Sequence, residues 1–172
     1  MACVLITGAS TGIGRQCALD LARAGWRVFA GVRKPADGEA LQAAGNGNII
    51  PLIIDVTDAD TIGQAARELE TALADAGLNA LVNNEGITVQ GPLEFDPLAM
   101  FETQMQVNVT GQLAVTQAFL PLIRGKTALR KRVETFDPAA RKDQQGEERR
   151  DAAISSVYGK ACFAALTMTK RR

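Results

Sequence analysis

Cys3-Val-Leu-Ile-Thr-Gly-Ala-Ser-Thr-Gly-Ile-Gly14 is the stretch on which the fold turns. A short run rich in β-branched and aliphatic residues, 3–7, reads as a buried strand. It runs straight into three glycines within seven residues, and then into a segment with helical spacing over 14–24. At such a junction Gly8 permits the tight turn, Gly12 lets backbone approach a pyrophosphate, and Gly14 lets the helix lie close to the strand. The helix N-terminus adds N–H donors and a positive dipole. The position of the glycines, between a first strand and a first helix, makes them a phosphate cradle rather than a plain turn.

Working outward, three more apolar runs read as buried strands, at 27–32, 48–54 and 78–82. Between them, 39–44 and 61–76 carry helical spacing. Gly25, Gly45 and Gly77 follow the three helical segments where left-handed C-caps are expected, and Asp58 is placed to cap the third. Crossovers long enough for a helix call for parallel strands, and right-handed crossovers wind helices onto both faces. The expected fold is therefore α/β, a doubly wound parallel sheet of Rossmann-like form. A further helix is expected over 97–123, with Phe101, Met105, Val109, Ala114, Phe119 and Ile123 available for burial and Pro121 bending or ending its last turn.

The 172 residues contain 19 Lys+Arg, 19 Asp+Glu, no His and three Cys. Without histidine, Ser-His-Asp and Cys-His nucleophile systems and His-ligated metal sites are excluded, and acid–base work falls to Tyr, Lys or carboxylates. Cys3, Cys17 and Cys162 are odd in number and lack C-x-x-C spacing, which argues for reduced thiols and a cytoplasmic setting. The apolar start, 2–6, is too short for a signal segment, and nowhere do about 18 apolar residues run together, so no membrane contact is expected.

The charge balance hides a shift. Residues 1–123 hold six basic and 13 acidic side chains, and residues 124–172 hold 13 basic and six acidic. Most of the change falls in 124–151, which reads as a charged, exposed insertion after a dinucleotide-binding core, 1–123. Clusters such as Arg130-Lys131-Arg132 read as solvated faces, with no nucleic-acid partner expected.

TGASTGIG, from Thr7 to Gly14, resembles the Thr-Gly-x-x-x-Gly-x-Gly motif of the short-chain dehydrogenase/reductase family. The resemblance continues through Asp55-Val56, similar to the family's adenine-contacting Asp, and Asn83-Asn84-Glu85-Gly86, similar to its Asn-Asn-Ala-Gly. It extends to Asn108, similar to its helix-borne catalytic Asn. It implies a nicotinamide dinucleotide held by Thr7, Gly8, Ser10, Thr11, Gly12, Ile13, Gly14, Asp55, Val56, Asn83 and Gly86, and a small-molecule carbonyl or alcohol substrate. At the end of the second strand, where an NAD site usually places a carboxylate for the ribose hydroxyls, the chain has Val32 followed by Arg33-Lys34. Arg33 offers a fork of donors to a 2′-phosphate, so NADP(H) is expected over NAD(H). Glu85 stands where the family has Ala, and a carboxylate there either turns outward or repels phosphate.

In the family a Tyr acts as acid/base, a Lys four residues later lowers its pKa, and a Ser polarises the substrate carbonyl. Side chains at i and i+4 of a helix project about 40° apart, those at i and i+2 roughly 160° apart. Here the one tyrosine stands in Tyr158-Gly159-Lys160. Two alignments compete over 152–172, a remnant of the catalytic strand and helix region. One makes 154–157 the fifth strand with Ser156 catalytic. The other makes 160–167 the helix after the catalytic Lys, with Tyr158 and Lys160 active. The resemblance also implies later strands that this sequence does not contain, so the sheet is expected to be incomplete at its C-terminal edge. Two functional readings stay open: an NADP(H)-dependent oxidoreductase using Asn108, Ser156, Tyr158 and Lys160, or a truncated, inactive member that only binds the dinucleotide. The 97–123 helix is available as a homo-oligomer contact in either.

Overall fold

The computed structural model describes residues 1–74, 76–124, 154–155 and 165–168. Four parallel strands form the centre: β1 (Cys3–Ile6), β2 (Arg27–Val32), β3 (Ile49–Ile53) and β4 (Ala80–Val82), in the order β3-β2-β1-β4. Helices α1 (Gly12–Arg23), α2 (Pro35–Ala44) and α3 (Ala59–Leu73) make the crossovers. The strands bury both faces, which is why their sequences are continuously apolar instead of alternating. Val4 and Ile6 pack with Leu19, Val28 and Leu41 on the α1 and α2 side. Cys3 and Leu5 pack with Phe29, Leu69 and Phe119 on the other.

The helix ends refine the sequence reading. The Asp58 carboxylate caps α3 by accepting from the Asp60 N–H. Gly25 and Gly77 take the left-handed conformation, but Gly45 does not, at φ −98°. Asn46 and Gly47 take it instead. Gly45 is needed for space, because a Cβ there would run into the Ile49 side chain. Helix α2 starts at Pro35, four residues before the expected 39, since proline suits a first helical position. Gly38 lets it lie on β3, where a Cβ would come within 2.7 Å of Pro51.

After β4 come a 3-10 turn (Leu93–Phe95), α4 (Leu98–Met105), a π-helical segment (Gln106–Gly111) and α5 (Gln112–Arg124). The last three run on as the expected long helix, with Pro121 inside α5. Its buried face is the expected one only toward the C-terminal end, where Phe119 and Ile123 are buried and Ala114 packs against the core. Phe101, Met105 and Val109 are 47%, 40% and 47% exposed, whereas Val107, Val115, Phe119 and Ile123 are buried. The helix carries apolar residues in two rows of four-residue spacing, offset by two positions and so on nearly opposite sides. The row through Gly111 faces the core, and Gly111 itself comes so close that a Cβ there would meet the Val56 carbonyl oxygen at 2.7 Å.

At the β4 edge the parallel pattern stops. β6 (Ala165–Met168) pairs antiparallel with β4, and β5 (Ile154–Ser155) pairs antiparallel with β6. Residues 165–167 are therefore strand, paired with the edge of β4, and not part of the helix after Lys160 that the second alignment implies. Among the described residues no helix is long and apolar enough to cross a membrane.

Candidate functional site

The glycine turn closes the C-terminal end of β1. Gly8 and Gly12 take φ +63° and +56°, which disfavour any side chain. The Thr7 N–H donates to Val82 O and the Ala9 N–H to Gly31 O, so the turn is tied to the strands on both sides of β1. Thr11 precedes α1 in an extended conformation and gives no side-chain cap. The first helical hydrogen bond runs from Arg15 N–H to Thr11 O. The N–H groups of Gly12, Ile13 and Gly14 have no partner among the described residues. A Cβ on Gly12 would meet nothing within 4 Å, and Ile13 is exposed. The turn thus presents unpaired donors at a positive helix end beside open space.

The loop after β4 holds this turn in shape. Thr7 is fully buried, and its Oγ1 accepts from the N–H groups of Asn84 and Glu85 at 3.0 and 3.2 Å. The Asn84 Nδ2 donates to the carbonyls of Thr7 and Gly8. A Cβ on Gly14 would collide with that same Nδ2 and with Gly8 O, so the third glycine is required by the clamp as well as by the helix. Asn83 turns the other way: it is buried, and its Nδ2 donates to Thr116 Oγ1 on α5 at 2.8 Å. Asn84 was absent from the residues expected to shape the cradle. Its signal lay in the Asn83-Asn84 pair, since consecutive side chains in an extended loop point to opposite sides.

Glu85 points inward, not outward. Its carboxylate is 12% exposed and lies 3.5 Å from the Nε of Arg33, which is 64% exposed beyond β2. Burial, with a smaller contribution from the Asp55 charge, raises the Glu85 pKa, and Arg33 opposes the rise. Asp55, just past β3, has a lowered pKa because the Thr57 hydroxyl and N–H both donate to its Oδ1, with Arg33 assisting. Val56 beside it is buried. The carboxylates of Glu85 after β4 and Asp55 after β3 thus both feel the charge of Arg33 after β2.

Asn108 lies in the π-helical segment and uses its whole amide on one residue. Its Oδ1 accepts from Ile87 N–H and its Nδ2 donates to Ile87 O, at 2.9 and 2.7 Å. Gln104 Oε1 accepts from Val89 N–H, and Gln112 Nε2 donates to Glu85 O at 2.6 Å. Three polar side chains of the long helix, none a charged group, therefore fix the backbone over 85–89. A Cβ on Gly86 would come within 3.3 Å of Asn108 Oδ1. Ser10 and Thr11 sit on the turn itself, half-buried and exposed. Ser156, Tyr158 and Lys160 lie outside the described residues, as does the charged stretch 125–151.

The unpaired donors, the open space at Gly12 and the exposed Arg33 fit a nicotinamide dinucleotide. The sequence pattern of short chain dehydrogenases matches residues 2–129. The chain belongs to the short-chain dehydrogenase family. Human retinol dehydrogenase 5 is 37% identical over 122 residues, covering 70% of this chain and 38% of that protein. The Escherichia coli K12 oxidoreductase YbbO is 39% identical over 118 residues, covering 69% and 42%. An NADPH-bound carbonyl reductase from chicken fatty liver superposes with a TM-score of 0.66 at 32% identity, covering 71% of this chain and 51% of that one. The chain thus spans about two fifths of the length of these two curated relatives.

Proposed function

We propose that this family member binds NADP(H) in preference to NAD(H) at the glycine turn and acts as an oxidoreductase on a small-molecule carbonyl or alcohol. The observation that carries the reading is the set of unpaired N–H groups at Gly12, Ile13 and Gly14 beside open space. Those amides would hold the pyrophosphate, Asp55 the adenine, and Arg33 the 2′-phosphate. That a carbonyl reductase and a second solved relative hold NADPH or NADP supports the choice of cofactor class. When bound, the nicotinamide supplies or accepts the hydride.

In this reading Tyr158 exchanges a proton with the substrate oxygen, Lys160 favours the tyrosinate by its charge, and Ser156 hydrogen-bonds the same oxygen. Asn108 positions the loop over 85–89. Thermal shift with NADPH, followed by NADPH oxidation with aldehydes and ketones, tests the whole. Stabilisation near 2.7 kcal/mol is expected at about 100 times Kd, together with turnover that Tyr158→Phe abolishes without losing the shift. Turnover by the Phe variant at the wild-type rate would sink the tyrosine assignment, and no shift with either dinucleotide would sink the cofactor assignment.

The two-residue spacing of Tyr158 and Lys160 favours a second reading, in which the chain binds the dinucleotide without turning over substrate. Stabilisation without NADPH oxidation selects it. In both readings the exposed row Phe101, Met105, Val109 and Leu113 offers a contact to a second copy of the chain.

A further inference from the structure

Among the described residues Glu85 is the one acidic side chain that lies inward against the glycine turn from the β4 side. Its backbone N–H is bound to Thr7, and its Cα would lie 2.9 Å from a Cβ on Gly8. From there the side chain reaches to Arg33, which follows β2 on the far side of β1. The side chain therefore crosses the end of the central strand toward the end of β2. The backbone carbonyl of the same residue is pinned by Gln112, so the start of this side chain is fixed in place.

We propose that Glu85 is a specificity-determining residue that holds down the affinity for 2′-phosphorylated nucleotides by occupying Arg33. A 2′-phosphate and the Glu85 carboxylate compete for one guanidinium, and Asp55, the second carboxylate under its influence, leaves no spare positive charge among these three groups. A ribose with a free 2′-hydroxyl meets no such competition, since a hydroxyl donates to a carboxylate. Arg33 selects for the phosphate and Glu85 selects against it, so the discrimination between the two dinucleotides is set by a pair of residues on different strands' loops. This rests on the reading of Arg33 as the phosphate's partner.

Calorimetric titration of the full chain with adenosine 2′,5′-bisphosphate and with 5′-AMP isolates the 2′-phosphate from everything else the nucleotides contact. Glu85→Gln keeps the shape and removes the charge, and Glu85→Ala provides a second variant should the first fold poorly. Both are expected to tighten the bisphosphate by about tenfold, as for the loss of one charge a few ångströms away in a partly wet site, with 5′-AMP shifted by less than about twofold. In an Arg33→Ala background the gain should shrink, because the competed-for group is gone. Equal changes for the two nucleotides, no change, or a gain undiminished by Arg33→Ala would overturn the proposal while leaving dinucleotide binding intact. Failure of both nucleotides to bind the folded wild type and variants would overturn the phosphate reading of the glycine turn, and this proposal with it. An Arg33→Ala protein that binds the bisphosphate as well as wild type would remove Arg33 from the site.

Discussion

Asn84 donates from one side-chain nitrogen to the carbonyl oxygens of Thr7 and Gly8, at 3.1 and 3.0 Å, across the boundary between the β4 loop and the end of β1. The bonds fix the carbonyls at the start of the turn, and through them the direction in which the next amides point. Asn84→Ala leaves two part-buried acceptors without this donor. It is expected to cost about 1–3 kcal/mol by urea denaturation, and to weaken dinucleotide binding in addition. Unchanged stability would show the clamp to be dispensable.

Gly8 and Gly12 should separate conformational strain from crowding. Gly8→Ala combines a left-handed backbone with a Cβ placed 2.9 Å from Glu85 Cα and 3.2 Å from Asn84 Nδ2, and should lose more than the roughly 1–2 kcal/mol of the left-handed conformation alone. Gly12→Ala carries only the conformational cost, since the space around it is open. Its stability loss should stay near 1–2 kcal/mol while nucleotide binding falls, because the new methyl enters the space a phosphate needs. Equal stability losses for the two variants would contradict this ordering.

The acid-side behaviour has opposite signs at two carboxylates. The Asp55 pKa is lowered on folding, so Asp55 contributes stability above its unfolded pKa, and that contribution is lost as pH falls through its folded pKa. The Glu85 pKa is raised, so folding is favoured while Glu85 is protonated and is penalised as pH rises from its unfolded pKa through its folded pKa. Glu85→Gln should therefore be more stable than wild type at neutral pH, with the difference vanishing at acid pH. Asp55→Asn should be less stable at neutral pH and converge with wild type in acid. Denaturation midpoints across the carboxylate range check both, and a Glu85→Gln variant less stable than wild type at neutral pH contradicts the first.

Much of the fold was legible because it rests on local rules: continuous apolar runs for strands buried on both faces, glycines after helices, and Asp58 at a cap. The long helix was legible as an element and at Phe119 and Ile123, but not in which side its first half buries. Its sequence holds two apolar rows, and the one through Gly111, which comes close to the Val56 carbonyl, is the buried one. The cradle was legible through its glycines, whereas the clamp on it, Asn84, and the braces from Gln104 and Gln112 depend on contacts between residues 15 to 77 positions apart. Glu85 was visible as a departure from the family's Ala, but the position of its carboxylate beside Arg33 needed coordinates.

The two rows of the long helix should respond differently. Phe119→Ala removes a fully buried ring and is expected to cost about 3–5 kcal/mol. Phe101→Ala and Met105→Ala alter exposed positions and should change stability by no more than about 0.5 kcal/mol, while reducing self-association seen by analytical ultracentrifugation. A wild type that is monomeric at all concentrations contradicts the oligomer contact.

The most direct measurement follows the backbone amides of the labelled chain by NMR during titration with NADPH. Saturable shifts concentrated at Gly12, Ile13 and Gly14, with smaller ones at Arg33 and Asp55, are the expected result. Resonances at the start of α1 that stay still while the nucleotide is added, or that move no more than those of the α3 surface, would contradict it.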